Sequence, residues 1–416
     1  MFGPFASVQR KMRQHATNWL ELAEKIEHYR RDVLDASDLN SLRDNQQIVR
    51  NLLKEKADAS KLKIAIESLE GVLRTTGGTF YPKKSLVEYI EFFLVAAIVI
   101  LGIRAYFFQP FKIPTNSMWP SYNGMTGEVF KTPEDEPNFI GQTFRFVTQL
   151  AKPHRLDAPR EGEVRIPVAR ASRDRDFVPY ETVSGRKWFV IPTQLRLYRI
   201  YVNDEPVELR VPGDFDLDKV ILDAFYDGAE TFPLSANFPI GQAVLLGTGK
   251  KVKRGDRMLA FDVLTGDQLF VDRISYHFTK PSIGDGFVFR TKNLTELHPM
   301  MRGPKDQYYI KRLVGAPGDV LEIKEPVLWR NGKPIEGSNA FEGNAERLGN
   351  FPGYRHEGYL RPGAKVTVPE HRYMAFGDNS ASSLDGRYWG AIPDKDVVGK
   401  PLFIYYPFTK RWGPAP

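Results

Sequence analysis

The 416-residue sequence predicts a mainly β protein preceded by a helical region and one apolar segment able to anchor it in a membrane. Residues 5–70 contain neither glycine nor proline, so the chain opens with uninterrupted helix-forming sequence. Phe92 to Ile103 is an unbroken apolar run. From about residue 125 the texture changes to short β-branched and aromatic runs broken by Gly, Pro and Asp.

Composition narrows the chemistry. The chain is 42% hydrophobic and 26% charged, within the ordinary globular range. With no cysteine, disulfides, thiolate zinc sites and a cysteine nucleophile are excluded. The formal charge of +7 is spread along the chain, which does not point to a nucleic-acid partner. The first twenty residues lack the apolar core of a secretory signal peptide.

In the first 80 residues Trp19, Leu22, Ala23, Ile26 and Val33 fall at helical spacing, as do Leu62, Ala65, Ile66, Leu69 and Leu73. Asp35-Ala36-Ser37-Asp38 between them offers turn and N-cap chemistry. Two or three amphipathic helices folded back as a hairpin are expected. Either a docking module with an unidentified partner or a packed helical spacer fits the pattern. Gly77-Gly78 and Pro82-Lys83-Lys84 end the region.

The apolar run alone is shorter than the ~20 residues of a spanning helix, but its flanks from Tyr89 to Phe111 extend it far enough. Glu91 and Arg104 then lie near its ends, where charges snorkel, and Tyr89, Tyr106, Phe107 and Phe108 suit an interfacial belt. A transmembrane anchor over residues 86–111 is expected; a buried core helix is the other reading of such a run. Residues 1–85 carry fifteen Lys and Arg against eleven Asp and Glu, which favours a cytoplasmic N-terminus.

Strands are expected at Lys187–Ile191, Leu195–Tyr201, Phe287–Phe289 and Tyr308–Val314. Asn331-Gly332 between apolar runs is a two-residue hairpin signal. Ile200-Tyr-Val-Asn-Asp-Glu-Pro-Val207 echoes Leu328-Trp-Arg-Asn-Gly-Lys-Pro-Ile335, as two hairpins or as an internal duplication.

No HExxH, GxSxG, GxxxxGK[ST] or post-strand GxGxxG is present. The seven histidines are scattered; His277 and His371 read as surface or loop residues, and no Ser-His-Asp triad can be located by spacing. Three segments stand out instead. In Gln109-Pro-Phe-Lys-Ile-Pro-Thr-Asn-Ser-Met-Trp-Pro120, three prolines hold the chain extended and present Ser117 close to the anchor. In Tyr309-Ile-Lys-Arg-Leu-Val-Gly-Ala-Pro-Gly-Asp319, Lys311 and Arg312 interrupt an apolar strand, and a lysine forced onto an apolar face loses its proton more easily. Neutral lysine is a general base for a serine hydroxyl. In Phe376-Gly-Asp-Asn-Ser-Ala-Ser-Ser-Leu-Asp-Gly-Arg-Tyr-Trp-Gly390, Asp378, Asp385 and Arg387 offer ionic contacts that fix a loop, and Tyr388-Trp389 argues against a solvated one.

These segments, with Pro281-Ser-Ile-Gly-Asp-Gly-Phe-Val-Phe289 and the helix exit from Ile103, resemble the motifs of bacterial type I signal peptidases in the family's order. The resemblance covers about residues 89–122 and 266–405. It implies a catalytic domain of antiparallel sheets over 112–124 and 266–416, with 125–265 an inserted, β-rich accessory region. It implies Ser117 as nucleophile, Lys311 as general base, Ser383 as the serine that orients the amine, and the Thr115 hydroxyl with the Ser117 N–H as oxyanion hole. Asp378 and Arg387 match residues that hold the site together. Asn116 stands where the family often has Gly, and Ser380 where Arg is common; Leu384 and Gly386 also depart from the pattern. Among Ser380, Ser382 and Ser383, spacing alone selects Ser383.

The implied function is a single-pass serine endopeptidase of the bacterial inner membrane, its catalytic domain on the outer side, cutting signal peptides from exported preproteins. No metal or organic cofactor is implied. A self-cleaving serine-lysine peptidase and a catalytically silent membrane scaffold are the alternatives. The anchor argues against the first, and the intact Ser117, Lys311 and Ser383 against the second.

Overall fold

Long helices form where the sequence offers no breaker: α1 (Val8–Arg30), α2 (Ala36–Lys54) and α3 (Ala59–Thr76). Asp58 caps α3 by accepting the Lys61 N–H at 2.9 Å, and Gly77 closes its other end. The apolar stripes meet in one core of Ala16, Ala23, Ile26, Leu42, Val49, Leu62, Ala65, Ile66, Leu69 and Leu73. Each helix packs on the other two, so a bundle of three stands where the fewest helices expected would have made one hairpin. Val33, at helical spacing in the sequence, falls beyond the end of α1 and is exposed.

The computed structural model describes residues 8–83, 85–172, 175–187, 191–300 and 305–416. Lys84 and Trp188–Val190, within two segments singled out in the sequence, lie outside them. The chain divides into units Met1–Leu101 and Gly102–Pro416.

The apolar run lies in α4 (Ser85–Tyr106), which has no buried residue and is long and apolar enough to cross a membrane. Its 22 residues rise about 33 Å, enough for a ~30 Å hydrocarbon core. The helix stops at Tyr106, short of the expected boundary at 111. Pro110 lacks an N–H and disfavours helix at Gln109, so the chain extends into β1 (Phe108–Lys112).

After Ser117 come β2 (Thr126–Val129), α5 (Phe139–Gln149), β3 (Lys152–Asp157), β4 (Gly162–Ser172), β5 (Arg175–Phe177), β6 (Tyr180–Lys187), β7 (Ile191–Val202), β8 (Glu205–Pro212), α6 (Asp218–Phe225), β9 (Ala243–Val252) and β10 (Arg257–Leu264). The strands make two antiparallel sheets, β2-β10-β3 and β5-β4-β7-β6, the latter with β8 on β7 and β9 on β4. One apolar core joins them to α6, and all its fully buried members lie between Met125 and Val263.

The rest comprises β11 (Gln268–Asp272), α7 (Ser275–Phe278), β12 (Gly286–Arg290), β13 (Tyr308–Gly315), β14 (Val320–Lys324), β15 (Val327–Arg330), β16 (Lys333–Pro334), α8 (Asn339–Glu346), β17 (Lys365–Thr367), β18 (Arg372–Phe376), α9 (Gly386–Trp389), β19 (Ile392–Pro393), β20 (Val397–Tyr406) and β21 (Gly413–Pro414). The larger sheet runs β1-β11-β20-β12-β13-β18-β19 with β21 on β20, and the smaller runs β16-β15-β14-β17. All these pairings are antiparallel.

The echoed phrases are two hairpins with one device in common. Asn203 donates its N–H to the Glu163 carbonyl at 2.8 Å and accepts the Glu163 N–H at 3.0 Å. Asn331 makes the same reciprocal pair with Val320, both bonds 2.8 Å. Both asparagines have positive φ, the backbone state their short polar side chain tolerates.

The ends of the 125–265 region return to one place. Met125 N–H reaches the Pro114 carbonyl at 3.0 Å, and Asp267 N–H reaches the Asn123 carbonyl at 2.8 Å. A Cβ on Gly266 would sit 1.9 Å from the Ile113 carbonyl oxygen, so only glycine fits there. Gly266→Ala is expected to cost about 1–3 kcal/mol by overpacking, read as an earlier urea midpoint. An unchanged midpoint would mean the two chain ends separate at no cost.

Candidate active site

Ser117 sits in a single turn of 3-10 helix, Asn116–Met118, whose buried Met118 pins it to the core of the larger sheet. Asn116 holds the turn from the side. Its Oδ1 accepts the Gly124 N–H at 2.9 Å, and its Nδ2 donates to the Met125 carbonyl at 3.2 Å. Asn379 holds it from the other strand end: its N–H donates to the Ser117 carbonyl and its Nδ2 to the Asn116 carbonyl, both at 3.1 Å.

Lys311 lies in β13, opposite Phe287 of β12, and is buried. Its Nζ is 2.6 Å from Ser117 Oγ and 3.1 Å from the Ile310 carbonyl oxygen. Burial pulls the amine's pKa down to about 8, against the fields of Asp385 and Asp378, which favour the charged form. Arg387 adds a smaller lowering.

The two carboxylates are already taken. Arg312 donates its Nε to Asp378 Oδ1 at 2.8 Å and its Nη2 to Oδ2 at 2.6 Å, and neither side chain is more than 2% exposed. Arg387 grips Asp385 with Nε and Nη2, both at 2.9 Å, and also faces Glu357 at 2.9 Å. Asp385 accepts the Gly377 N–H at 3.0 Å and caps α9. No ion pair of Lys311 occurs among the described residues.

The structure thus brings Ser117 and Lys311 together, with Asp378 and Arg387 beneath them in separate ion pairs. Thr115 is exposed, extended and lines the same cavity of about 600 Å³ as Ser117 and Lys311. Ser383 is buried, but its Oγ has no hydrogen-bond partner, and the Ile310 carbonyl is the amine's second contact. Both Ser383 Oγ and the Ser117 carbonyl oxygen lie within 2.4 Å of where a Cβ on Gly377 would sit, which makes this glycine obligatory. Ser380 accepts the Arg387 Nη1 proton at 2.8 Å. His371 is exposed beside Asp394, away from this cluster.

Sequence reasoning passed over Arg312 as a binding partner and the roles of Asn116, Asn379 and Gly377. The signal for Arg312 was its cation in an apolar strand, read only for its neighbour. Nothing in spacing marks the asparagines, because their partners are distant backbone groups.

Residues 254–406 match the family model described as signal peptidase, peptidase S26. The chain is 31% identical to the protein named "Probable signal peptidase I-1" of Synechocystis sp. over 36% of its own length and 66% of the relative. For signal peptidase I of Leptolyngbya laminosa the figures are 25%, 46% and 85%, and for that of Bacillus licheniformis 36%, 26% and 55%. The chain belongs to the type I signal peptidase family. The family match leaves out residues 1–253, and so includes the 266–405 part of the sequence resemblance but not the 89–122 part that carries Ser117.

In this signal peptidase fold the Asp385–Arg387 pair closes the loop that carries Ser383. Removing one partner of a buried pair strands the other charge. Asp385→Ala is therefore expected to cost about 3–5 kcal/mol of stability by denaturant unfolding. A loss below about 1 kcal/mol would mean that Glu357 alone satisfies Arg387.

Proposed function

We propose that the chain is a membrane-anchored serine endopeptidase that removes signal peptides from exported preproteins, with Ser117 as nucleophile and Lys311 as general base. The observation that carries this reading is the 2.6 Å contact between Ser117 Oγ and a buried lysine whose pKa is lowered to about 8. A lysine at its ordinary pKa holds its proton at neutral pH and cannot take another.

In the proposed reaction neutral Lys311 accepts the Ser117 proton as Oγ bonds to the scissile carbonyl carbon. The oxyanion is met by the Ser117 N–H and the Thr115 hydroxyl. The ammonium returns the proton to the leaving amine as the C–N bond breaks. Lys311 then takes a proton from the water that attacks the ester carbon and returns it to Ser117 Oγ as the C–Oγ bond breaks and the acyl chain leaves as a carboxylic acid. Small side chains just before the cut and two positions upstream fit shallow pockets that exclude larger ones. In this reading α4 spans the bacterial inner membrane, residues 1–80 are cytoplasmic and the β unit works on the outer side, with 125–265 as an accessory region.

The pH dependence has a definite sign. Acid protonates the base, so kcat/KM for a signal-peptide substrate is expected to fall about tenfold per pH unit below about 8 and to level off above it. Lys311→Arg is expected to abolish cleavage, because guanidinium stays protonated. Lys311→Ala and Ser117→Ala should do the same, whereas Ser383→Ala should slow cleavage without ending it. Near-normal cleavage by Lys311→Arg would overturn the serine-lysine mechanism.

A further inference from the structure

Helix α5 is mounted the wrong way round for a globular protein. A surface helix normally turns its apolar face to the core and its polar face to water. Here the polar face docks: Arg145 Nε is 2.8 Å from Asp262 Oδ2, whose side chain is fully buried, and Nη2 is 2.8 Å from Glu128 Oε2. Gln142 leans on the same aspartate at 3.5 Å. Ile140, Phe144 and Val147, at i, i+4 and i+7, point outward with Phe139 beside them. Phe139 is 85% exposed and Phe144 66%, and no residue of α5 is buried.

We infer that α5 is an interfacial helix whose apolar face lies in the headgroup–acyl boundary of the bilayer, as a second lipid contact besides the anchor. This inference rests on the membrane anchoring proposed above. Four large apolar side chains left in water forgo the free energy that burial would give them. An amphipathic helix in a bilayer surface recovers much of that.

The occupant follows from continuity. Phe408 N–H donates to the Thr148 carbonyl at 2.9 Å, and the Tyr406 hydroxyl to the Val147 carbonyl at 3.0 Å. The exposed Phe408 ring packs on Tyr406, with centroids 5.1 Å apart. On the neighbouring strand Phe270 packs on Tyr405 at 4.4 Å and stands opposite Pro110 of β1. Exposed Phe408, two residues past the end of β20, Phe270 of β11 and Phe108 of β1 therefore continue the apolar side chains of α5 toward β1, which begins two residues after α4 ends. Exposed Lys152, three residues past α5, and Lys410, two past Phe408, add cations suited to anionic headgroups.

The sequence has no cysteine, so single-cysteine labelling needs no background removal. The full chain carrying Phe144→Cys with an environment-sensitive fluorophore is reconstituted into phosphatidylethanolamine–phosphatidylglycerol vesicles. The label is expected to emit to the blue and to be quenched at least about threefold more by spin-labelled lipid than by aqueous iodide. Quenching by iodide to the extent of free dye overturns the inference. Shielding from both quenchers also overturns it, in favour of a protein partner or a second copy. A Leu94→Cys label separates the two readings: lipid contact at 94 with water at 144 removes only the interfacial helix, whereas water at 94 removes the anchor.

Discussion

Everything at the site turns on a lysine amine kept out of water with no carboxylate free to receive it. Lys311 is buried beside Asp378 and Asp385, and an ion pair with either would hold its proton on. Each aspartate is instead gripped through both oxygens by an arginine, Arg312 or Arg387. Guanidinium suits this task because it stays charged and its fork matches a carboxylate. With the arginines committed, burial decides the lysine, and its proton becomes the loosest charge in the cluster.

That arrangement imposes a mechanical demand, because Ser117 comes from a segment far from both β13 and the loop before α9. Backbone contacts meet it. Asn379 joins the loop to the carbonyls of Asn116 and Ser117, and Asn116 joins the same turn to Gly124 and Met125. The close approach of Gly266 to Ile113 lets the chain leave for 125–265 and return without displacing the turn. The sheets of residues 125–265 also reach the cavity itself. Tyr180, Arg196, Tyr198 and Asp214 line it with Ser117 and Lys311, so this region forms part of the cavity wall.

What was legible in the sequence was what leaves a local trace. Apolar periodicity gave the cores of α1 and α3, and Asn331-Gly332 gave the β15–β16 turn. A cation inside an apolar strand flagged β13, and its motif paired Lys311 with Ser117. The remainder depends on distant partners. Val33 has helical spacing, but the helix ends before it. The end of α4 at Tyr106 left no local trace, because aromatic residues suit a membrane interface and a β-strand equally, and Pro110 decided for the strand. The hydroxyl of Ser383 has no hydrogen-bond partner among the described residues, and spacing in the chain says nothing of side-chain direction. The reversed mounting of α5 was invisible because it depends on Arg145 finding a buried aspartate more than a hundred residues away.

The short link between α4 and Ser117 ties these features together. Ten residues separate Tyr106 from Ser117. A fully extended chain of that length spans at most about 36 Å. Pairing of β1 with β11 uses that reach to build the sheet edge. In the proposed reading, where α4 spans a bilayer, that reach keeps Ser117 within a few tens of ångströms of its surface. Exposed aromatic side chains there suit a catalytic unit held at an interface. The polar mounting of α5 extends the same logic: an ion pair can fix a helix to a protein while leaving its apolar face for a different solvent.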